Sequence, residues 1–306
     1  MTPANAIEFE LRGDLPTPYI AYIRAFKWSV SKAVRCNPNR SNFSCFVLSC
    51  HPATSSQGRT LLWSCASKGV IVTGSSSVDW EHTFDQKNMD NHICVEMPYV
   101  RIANLRFNIN EPVIVDLSNP KNSLIKDDSD AVMVKVDGED VWFSKEVLSS
   151  KSPFFDALFN RNFKEKATNN YVLDGLDIDE FIIFIGLIHG IGSAGKNSVA
   201  FLLKLSDEYQ CKTVMNKCEE FLRTDGGLDL SAPQRSQLKD SLHKVPIERK
   251  IGLADKFKMR MTLAGLIDQL DSRGLKTLPW RVVVECGWEL SAIAQHYVQL
   301  KRSSML

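Results

Sequence analysis

One segment, from Asp130 to Glu165, constrains the fold of this chain more than any other, because its pattern changes from the period of a strand to the period of a helix. The first part alternates, as expected of a strand with one buried face, at Val132, Val134 and Val136. Asp137-Gly138 is a hairpin turn signal, and residues 141–143 supply the returning strand. The sequence therefore predicts a β-hairpin at the start of this segment.

A pair of short helices is predicted after the hairpin. Apolar residues recur at helical spacing from residue 147 to residue 159. Ser152-Pro153 interrupts the recurrence with a residue suited to an N-cap and a proline suited to the first helical position. We therefore predict that one helix ends near Ser150 and that a second begins at Pro153.

This order of residues resembles the start of a BTB/POZ domain, in which alternating valines, a turn and two short helices follow an aspartate. The matching residues are Asp130, Val132, Val134, Val136, Lys145, Val147, Leu148, Ser152, Pro153, Phe155 and Phe159. Ser144 stands where many family members carry histidine, a difference that concerns the dimer face and not the fold. The resemblance implies an α+β BTB/POZ domain, which we predict over residues 130–223.

A glycine-rich stretch at 190–197, GIGSAGKN, superficially matches a phosphate-binding loop. Asn197 stands where that loop requires the hydroxyl that holds magnesium. Residues 177–189 carry a capping box and a helical period, whereas a phosphate-binding loop follows a strand. We therefore predict a connection between two helices, and a nucleotide-binding enzyme is the less favoured alternative.

The N-terminal part of the chain has the pattern of an antiparallel β-sandwich. After a predicted leader at 1–18, short apolar runs between 19 and 118 are separated by turn clusters rich in Asn, Pro, Ser and Gly. Trp28 and Trp63 are predicted to lie in its core. The polar residues 119–129 are predicted to be a linker to the second domain.

This sandwich resembles a MATH domain, the β-sandwich also found in TRAF proteins. The matching segments are Phe26-Lys27-Trp28, the runs 43–50 and 62–66, and the stretch 83–89, which includes TFDQKNM. The resemblance implies a surface that captures a protein substrate, and the alternative is a sandwich that only packs against the rest of the chain.

The C-terminal part contains an internal repeat. Residues 205–222 align with residues 253–270, and each copy has the pattern of a helix that ends at an aromatic residue, a tight bend and a second amphipathic helix. The repeat predicts stacked helical hairpins, with a helical extension over 224–306. A further helix, containing Trp280 and Trp288, is predicted from Leu275 onwards.

Composition excludes several classes of function. The net charge of +1 does not favour nucleic-acid binding, and the longest apolar run is far too short to span a membrane. The first residues lack the pattern of a signal peptide, so we expect a cytoplasmic or nuclear protein. No sequence motif of a catalytic site is present, and we expect neither an enzyme nor a cofactor.

The eight cysteines are spread along the chain without a CxxC pair. Cys45, Cys50 and His51 are the nearest approach to a metal site, but a second closely spaced pair of ligands is missing. We therefore predict no metal site and interpret the cysteines as buried thiols.

Together the two resemblances imply a MATH–BTB protein that recruits substrates to a cullin-3 RING ubiquitin ligase, with the sandwich binding the substrate. The alternative is a BTB scaffold or transcriptional regulator that self-associates without a ligase. The cullin contacts implied by the resemblance are Leu158, Phe159, Phe163 and Glu165. A homodimer is also implied, with an interface at Leu124, Ile125, Ser144, Val147 and Leu148.

Overall fold

A computed structural model describes residues 6–12, 19–33, 43–53, 60–73, 76–86, 92–98, 102–161, 171–224 and 245–305. The strands of the N-terminal half are β1 (Ala6–Arg12), β2 (Tyr19–Ile23), β3 (Phe26–Ala33), β4 (Phe43–Pro52), β5 (Leu61–Thr73), β6 (Ser76–Asp85), β7 (His92–Pro98) and β8 (Ile102–Asp116). They form two antiparallel sheets with the orders β1-β8-β5-β6 and β2-β3-β4-β7. The predicted sandwich is therefore present.

The strand β1 lies within the segment that the sequence predicted to be a leader. Its residues Ala6–Arg12 pair with β8 in antiparallel register, from Ala6 opposite Asn108 to Arg12 opposite Ile102. The sandwich thus begins before residue 19, and the predicted boundary was wrong there. The alternation of apolar and charged residues in AIEFELR was the available signal.

The core of the sandwich is aromatic, because the inward positions of both sheets carry large rings. Trp28 is fully buried and its ring lies 5.3 Å from that of Phe84 and 4.7 Å from that of Phe107. Trp63 is 6% exposed and contacts Phe26. The prediction that both tryptophans belong to the core is confirmed.

The central domain begins with the predicted hairpin. Its elements are β9 (Ala131–Val136), β10 (Glu139–Ser144), α1 (Lys145–Lys151), α2 (Pro153–Asn160), β11 (Tyr171–Leu173), α3 (Ile178–Ile188), α4 (Val199–Glu208) and α5 (Lys212–Thr224). The sheet order is β10-β9-β11, with β11 parallel to β9. The helix break at Ser152-Pro153 occurs as predicted, and residues 190–197 form the predicted loop between two helices.

The C-terminal helices are α6 (Ile247–Lys256), α7 (Arg260–Asp268), α8 (Ser272–Cys286) and α9 (Ala292–Ser304). Gly287, with φ 78°, ends α8, and the Ser291 side chain caps α9, so the predicted single terminal helix is a hairpin of two. None of the helices in the described ranges is long and apolar enough to cross a membrane.

The two copies of the internal repeat have the same turn. Gln210 between α4 and α5 has φ 53°, and Lys258 between α6 and α7 has φ 58°. The amide N–H of the next residue donates to a helix carbonyl at 2.8 Å in both copies, as Cys211 to Ser206 and Met259 to Ala254. The repeat predicted from the sequence is therefore a repeat in three dimensions.

Candidate protein-interaction surfaces

The beginning of α1 is fixed by Asp130, the aspartate that precedes the alternating valines. Its carboxylate accepts a hydrogen bond from the Glu146 amide at 2.8 Å, and its carbonyl accepts one from the Lys145 amide at 2.8 Å. Burial is the largest influence on the pKa of Asp130 and raises it, but hydrogen bonds from Glu146, Ser144 and Lys126 together outweigh it and lower the pKa. Asp130 is therefore ionised, and its carboxylate holds the start of α1 against the first strand of the hairpin.

Ser152 joins three helices at the centre of the domain, since its amide N–H also donates to the Leu148 carbonyl of α1 at 3.0 Å. Its hydroxyl is fully buried, accepts a hydrogen bond from the Phe155 amide at 3.2 Å, and donates one to the Tyr209 carbonyl at 2.5 Å. The serine therefore caps α2 and also satisfies the end of α4. Burial raises the pKa of the Tyr209 hydroxyl to about 12.

The residues predicted to contact a cullin divide into three groups. Leu158, on α2, is half-buried and packs against the core from outside. Phe159 is fully buried, and its ring meets that of Tyr171 edge-on at 5.0 Å, so it supports the end of α2 from beneath and is not accessible to a partner. Phe163 and Glu165 lie outside the described residues.

The residues predicted at the dimer interface also differ in exposure. Leu124, Ile125 and Val147 are half-buried. Ser144 is 1% exposed, because its hydroxyl accepts the Val147 amide as the N-cap of α1. Leu148 is fully buried in the core. Within one chain, therefore, only the first three of these five residues retain accessible surface.

Val172 is an apolar surface residue that the sequence reasoning missed. It lies at the centre of β11, is 44% exposed, and pairs with Lys135 of β9. The strand follows residues 162–170, the segment that carries Phe163 and Glu165. The alternation in Tyr171-Val172-Leu173 could have indicated it, because its two neighbours are buried and the middle residue must point outwards.

A second apolar surface lies on the sandwich. Tyr19, Ile20 and Tyr22 of β2 are 45%, 46% and 69% exposed. Within the described residues, β2 is an edge strand whose one hydrogen-bonded neighbour is β3. Ile20 and Tyr22 lie on the outer side, since Ala21 and Ile23 pack on the core. The sequence YIAYI is apolar at every position, so no spacing rule distinguishes the outward Ile20 and Tyr22 from core residues.

The sandwich and the central domain share one hydrophobic core. Leu62 of β5, together with Val115 and Leu117 at the end of β8, belongs to the same buried cluster as the central helices. The Leu117 carbonyl accepts a hydrogen bond from the Trp142 amide at 2.8 Å, which joins the end of the sandwich to β10. The two domains are thus in direct contact.

The segment predicted to be a linker consists of hydrogen-bonded turns. The Asn122 side chain donates to the carbonyls of Asn119 and Trp142, each at 3.0 Å. The Asp127 carboxylate accepts hydrogen bonds from Ser129 and from the Asp130 amide. The segment is therefore held against the hairpin and differs from the solvated spacer that its polar composition indicates.

The glycine-rich connection lies against the sandwich. An added Cβ at Gly192, which has φ +77°, would lie 3.0 Å from the Asp85 carboxylate, and the Ser193 amide donates to that carboxylate at 3.4 Å. A carboxylate at this place disfavours a phosphate. The position of the loop after the helix α3, and not after a strand, also disagrees with the nucleotide alternative.

The described cysteine side chains are thiols. Cys50 and Cys65 contact each other inside the sandwich, and burial, followed by the neighbouring thiol, raises the pKa of Cys50. Among the described residues, no group of three His, Cys, Asp or Glu side chains is arranged to hold a metal ion.

Comparisons with known proteins identify a BTB/POZ domain in the chain. A family model for the BTB/POZ domain matches residues 122–226. The chain is 31% identical over 159 residues to BTB and MATH domain-containing protein 36 of Caenorhabditis elegans, covering 51% of this chain and 48% of that protein. It is 30% identical over 88 residues to BTB and MATH domain-containing protein 38 of the same organism, covering 28% of this chain and 23% of that protein.

A mouse protein gives a third match. Kelch repeat and BTB domain-containing protein 4 of Mus musculus is 28% identical over 92 residues, covering 30% of this chain and 17% of that protein. The chain thus spans about half or less of the length of the curated relatives that it matches. A sandwich followed by a BTB/POZ domain agrees with the MATH–BTB arrangement.

Proposed function

Because residues 122–226 form a BTB/POZ domain, we propose that this protein is a non-enzymatic adaptor that recruits a substrate to a cullin-3 RING ubiquitin ligase. The sandwich captures the substrate, and the BTB/POZ domain binds the cullin. The observation that carries the proposal is the pair of accessible apolar side chains that precede and follow residues 162–170 in the sequence, the half-buried Leu158 of α2 and the exposed Val172 of β11.

Residues 162–170 contain the sequence Phe163-Lys164-Glu165, which resembles the hydrophobic-x-Glu motif of adaptors that bind cullin-3. Burying an aromatic ring under a partner contributes about 1.5–3 kcal/mol. Glu165 contributes orientation more than affinity, because charges at the rim of an interface are solvated. In this proposal Leu158 and Val172 add apolar contacts with the cullin, and the buried Phe159 supports the end of α2.

The test is the affinity of the full chain for the amino-terminal domain of cullin-3. The double variant Phe163→Ala, Glu165→Ala weakens binding at least about tenfold, which is about 1.4 kcal/mol. A matched control is Met261→Ala, Glu289→Ala, which removes one apolar and one acidic side chain from exposed positions of the helical extension. If the Phe163→Ala, Glu165→Ala variant binds the cullin with wild-type affinity, these two residues are not the cullin contact. If the wild-type chain does not bind the cullin, the adaptor function is disproved.

Substrate capture is proposed for the edge strand β2, because an extended peptide can add to an edge by main-chain hydrogen bonds. Ile20 and Tyr22 then supply apolar contacts on one side of the added strand. Tyr22→Ala is expected to reduce recovery of ubiquitinated substrate from cells while leaving cullin binding unchanged. Equal recovery with wild type and variant would exclude β2 as the capture site.

The alternative candidate is a BTB scaffold that self-associates without a ligase. A homodimer is part of both proposals, with Leu124, Ile125 and Val147 as the accessible apolar part of the interface. Light scattering of the full chain is expected to give twice the mass of one chain. Val147→Asp is expected to lower the measured mass to that of a single chain. A dimer that binds no cullin favours the scaffold.

A further inference from the structure

The turn between β2 and β3 fixes which main-chain groups of β2 point towards β3. Arg24 and Ala25 form a two-residue turn with φ 49° and 65°, the pattern of a type I′ turn. In such a turn Ile23, the last residue of β2, forms a hydrogen-bonded pair with the first residue of β3. Hydrogen-bonded pairs alternate with non-hydrogen-bonded pairs along an antiparallel ladder, so the N–H and C=O groups of Ile20 and Tyr22 point away from β3.

The edge that carries these groups is unprotected. Within the described residues, β2 has β3 as its one neighbouring strand. Natural edge strands are ordinarily protected by charged side chains or proline, and the sequence YIAYI contains neither. By contrast β6, at an edge of the other sheet, carries the exposed charges Asp79 and Glu81. The edge of β2 is therefore the one suited to pairing with a further strand.

The sequence of β2 is complementary to itself. When two copies of the strand are placed antiparallel about Ala21, Ile20 of each lies opposite Tyr22 of the other, and Tyr19 lies opposite Ile23. Pairs of an aromatic and a β-branched residue are favourable across strands. The central pair is alanine with alanine, which suits a non-hydrogen-bonded position where the Cα atoms approach to about 4.5 Å. In this register the main-chain groups of both Ile20 and Tyr22 find partners.

We propose that β2 pairs in this register with β2 of a second copy of the chain, about a two-fold axis at Ala21, and that the pairing covers the strand proposed to capture the substrate. The sheets β2-β3-β4-β7 of the two copies then form one continuous sheet. A substrate strand and a second copy compete for the same main-chain groups. The pairing does not depend on the adaptor function, whereas the masking of the capture strand rests on it.

The charges near β2 are compatible with a second copy. None of residues 19–23 is charged, and the nearest charged residues are Arg24 and Lys27. Lys27 lies beside Tyr22 on β3, so the two copies of Lys27 are separated by three strand spacings, about 14 Å. The two copies of Arg24 lie six positions apart along the strands, about 20 Å. Both separations exceed the screening length of about 8 Å at physiological salt.

The paired stretch is five residues long, so the contact is smaller than a standard interface, and the test traps it covalently. In the full-chain variant Ala21→Cys, the two introduced thiols lie opposite each other within the span of a disulfide. Oxidised glutathione accepts the two electrons and the two protons as the sulfur–sulfur bond forms, and two glutathione thiols are released. A covalent dimer is expected on a non-reducing gel, with the wild-type chain as the baseline for the native thiols.

Two control variants separate this register from random collision. Tyr19→Cys places the introduced thiols four positions apart, about 13 Å, and Asp79→Cys places them on the charged edge β6. Ala21→Cys is expected to cross-link at least about tenfold faster than either control. Adding Ile20→Lys to Ala21→Cys is expected to slow the cross-link at least about tenfold, because a charged side chain protects an edge. Circular dichroism verifies that each variant remains folded.

The pairing is overturned if Ala21→Cys gives no covalent dimer above the wild-type baseline, or if it and Tyr19→Cys cross-link at equal rates. Masking is tested by the fluorescence anisotropy of a labelled peptide with the sequence YIAYI between lysines. The peptide is expected to bind the Ala21→Cys chain after reduction by dithiothreitol and to bind the cross-linked dimer at least about tenfold more weakly. Equal binding overturns the masking.

A failure of the proposed function gives a different result. If Ala21→Cys cross-links as expected but Tyr22→Ala recovers as much ubiquitinated substrate as wild type, the pairing is supported. The assignment of β2 as the capture strand is then wrong, and the masking is overturned with it.

Discussion

Ser152 contributes more to the stability of the central domain than its size suggests. One hydroxyl accepts the Phe155 amide at the start of α2 and donates to the Tyr209 carbonyl at the end of α4. Since the site is fully buried, water cannot replace either bond. A serine before a proline is thus both a cap within its own helix and a link to a distant one.

We predict that Ser152→Ala lowers the free energy of unfolding by about 1–3 kcal/mol, because a buried carbonyl and a buried amide lose their partner. Urea denaturation of the full chain measures the change. Ser150→Ala is the matched control: its hydroxyl is exposed and bonds only within its own helix, to the Val147 carbonyl at 2.8 Å, so a change within about 0.5 kcal/mol is expected. Equal effects of the two substitutions would contradict the dual role.

Asp130 makes a pH-dependent contribution to stability. Its pKa is lower in the folded chain than in the unfolded chain, where an aspartate has a pKa of about 3.9. The folded state therefore binds the proton less tightly, so the stabilisation is present above the unfolded pKa and is lost as the pH falls through the folded pKa.

Asp130→Asn is accordingly expected to lower the free energy of unfolding at pH 7 by about 1 kcal/mol, through the weakened bond to the first turn of α1. The difference from wild type is expected to shrink below about pH 4. Urea titrations at several pH values measure both effects, with the exposed neighbour change Asp128→Asn as the control. A difference that does not vary with pH would show that the charge of Asp130 is irrelevant.

Among the secondary-structure elements, the two helical hairpins of the repeat share one turn although neither has glycine there. Gln210 and Lys258 both adopt a left-handed conformation, which costs an ordinary residue about 1–2 kcal/mol and costs glycine very little. The turn persists without glycine because the aromatic residue before it and the apolar residue after it are anchored in the core at Tyr209 and Cys211 in the first copy.

We predict that Lys258→Gly is neutral or stabilises the chain by up to about 1 kcal/mol, since it relieves this conformation. Lys258→Val is expected to destabilise it by about 1–2 kcal/mol. The same glycine substitution in an exposed helical position, Lys204→Gly in α4, is expected to cost about 1 kcal/mol. Thermal unfolding compares the three variants, and a loss of stability in Lys258→Gly equal to that in Lys204→Gly would be the contrary result.

The elements that sequence reasoning predicted well are those whose signal is local. The valine alternation and the Ser152-Pro153 break each lie within a few residues, and each copy of the repeat carries its own helical period, so periodicity and capping chemistry suffice. Strand β1 was missed because its partner β8 lies far along the chain. The alternation in AIEFELR is a local signal of a strand, but its pairing with so distant a segment cannot be read from periodicity.

The candidate surfaces were predicted less completely, for a related reason. Periodicity separates the buried face of an element from its exposed face, but it does not say which exposed apolar residue is covered by another element. Leu148 and Phe159 match family positions and are core residues here, whereas Trp280, in the helix predicted from Leu275 onwards, is exposed. These differences arise from contacts between distant elements.

In the molecule as a whole, the two domains meet at a junction, and under the proposed function this junction sets the orientation of a captured substrate. Leu62 of the sandwich reaches the backbone of α3 at Gly186, where an added Cβ would lie 2.8 Å from its Cδ1 atom and 3.0 Å from the Ile191 carbonyl oxygen. Only glycine leaves room for this approach. The shared core therefore holds the proposed capture strand β2 and the BTB/POZ domain in one relative orientation.

The last prediction tests this coupling with one substitution, Gly186→Val. The added side chain overlaps Leu62 and Ile191, and overpacking of this kind costs about 1–3 kcal/mol. Because the strain falls on the junction, we expect thermal unfolding to change from one transition to two, and we expect protease to cut the turns at 118–130 more rapidly. Gly265→Val is the matched control, since Gly265 is also helical and an added Cβ there meets nothing within 4 Å. A single transition with an unchanged midpoint in Gly186→Val would mean that the sandwich and the BTB/POZ domain are not coupled through this contact, and that the orientation of a bound substrate is set elsewhere.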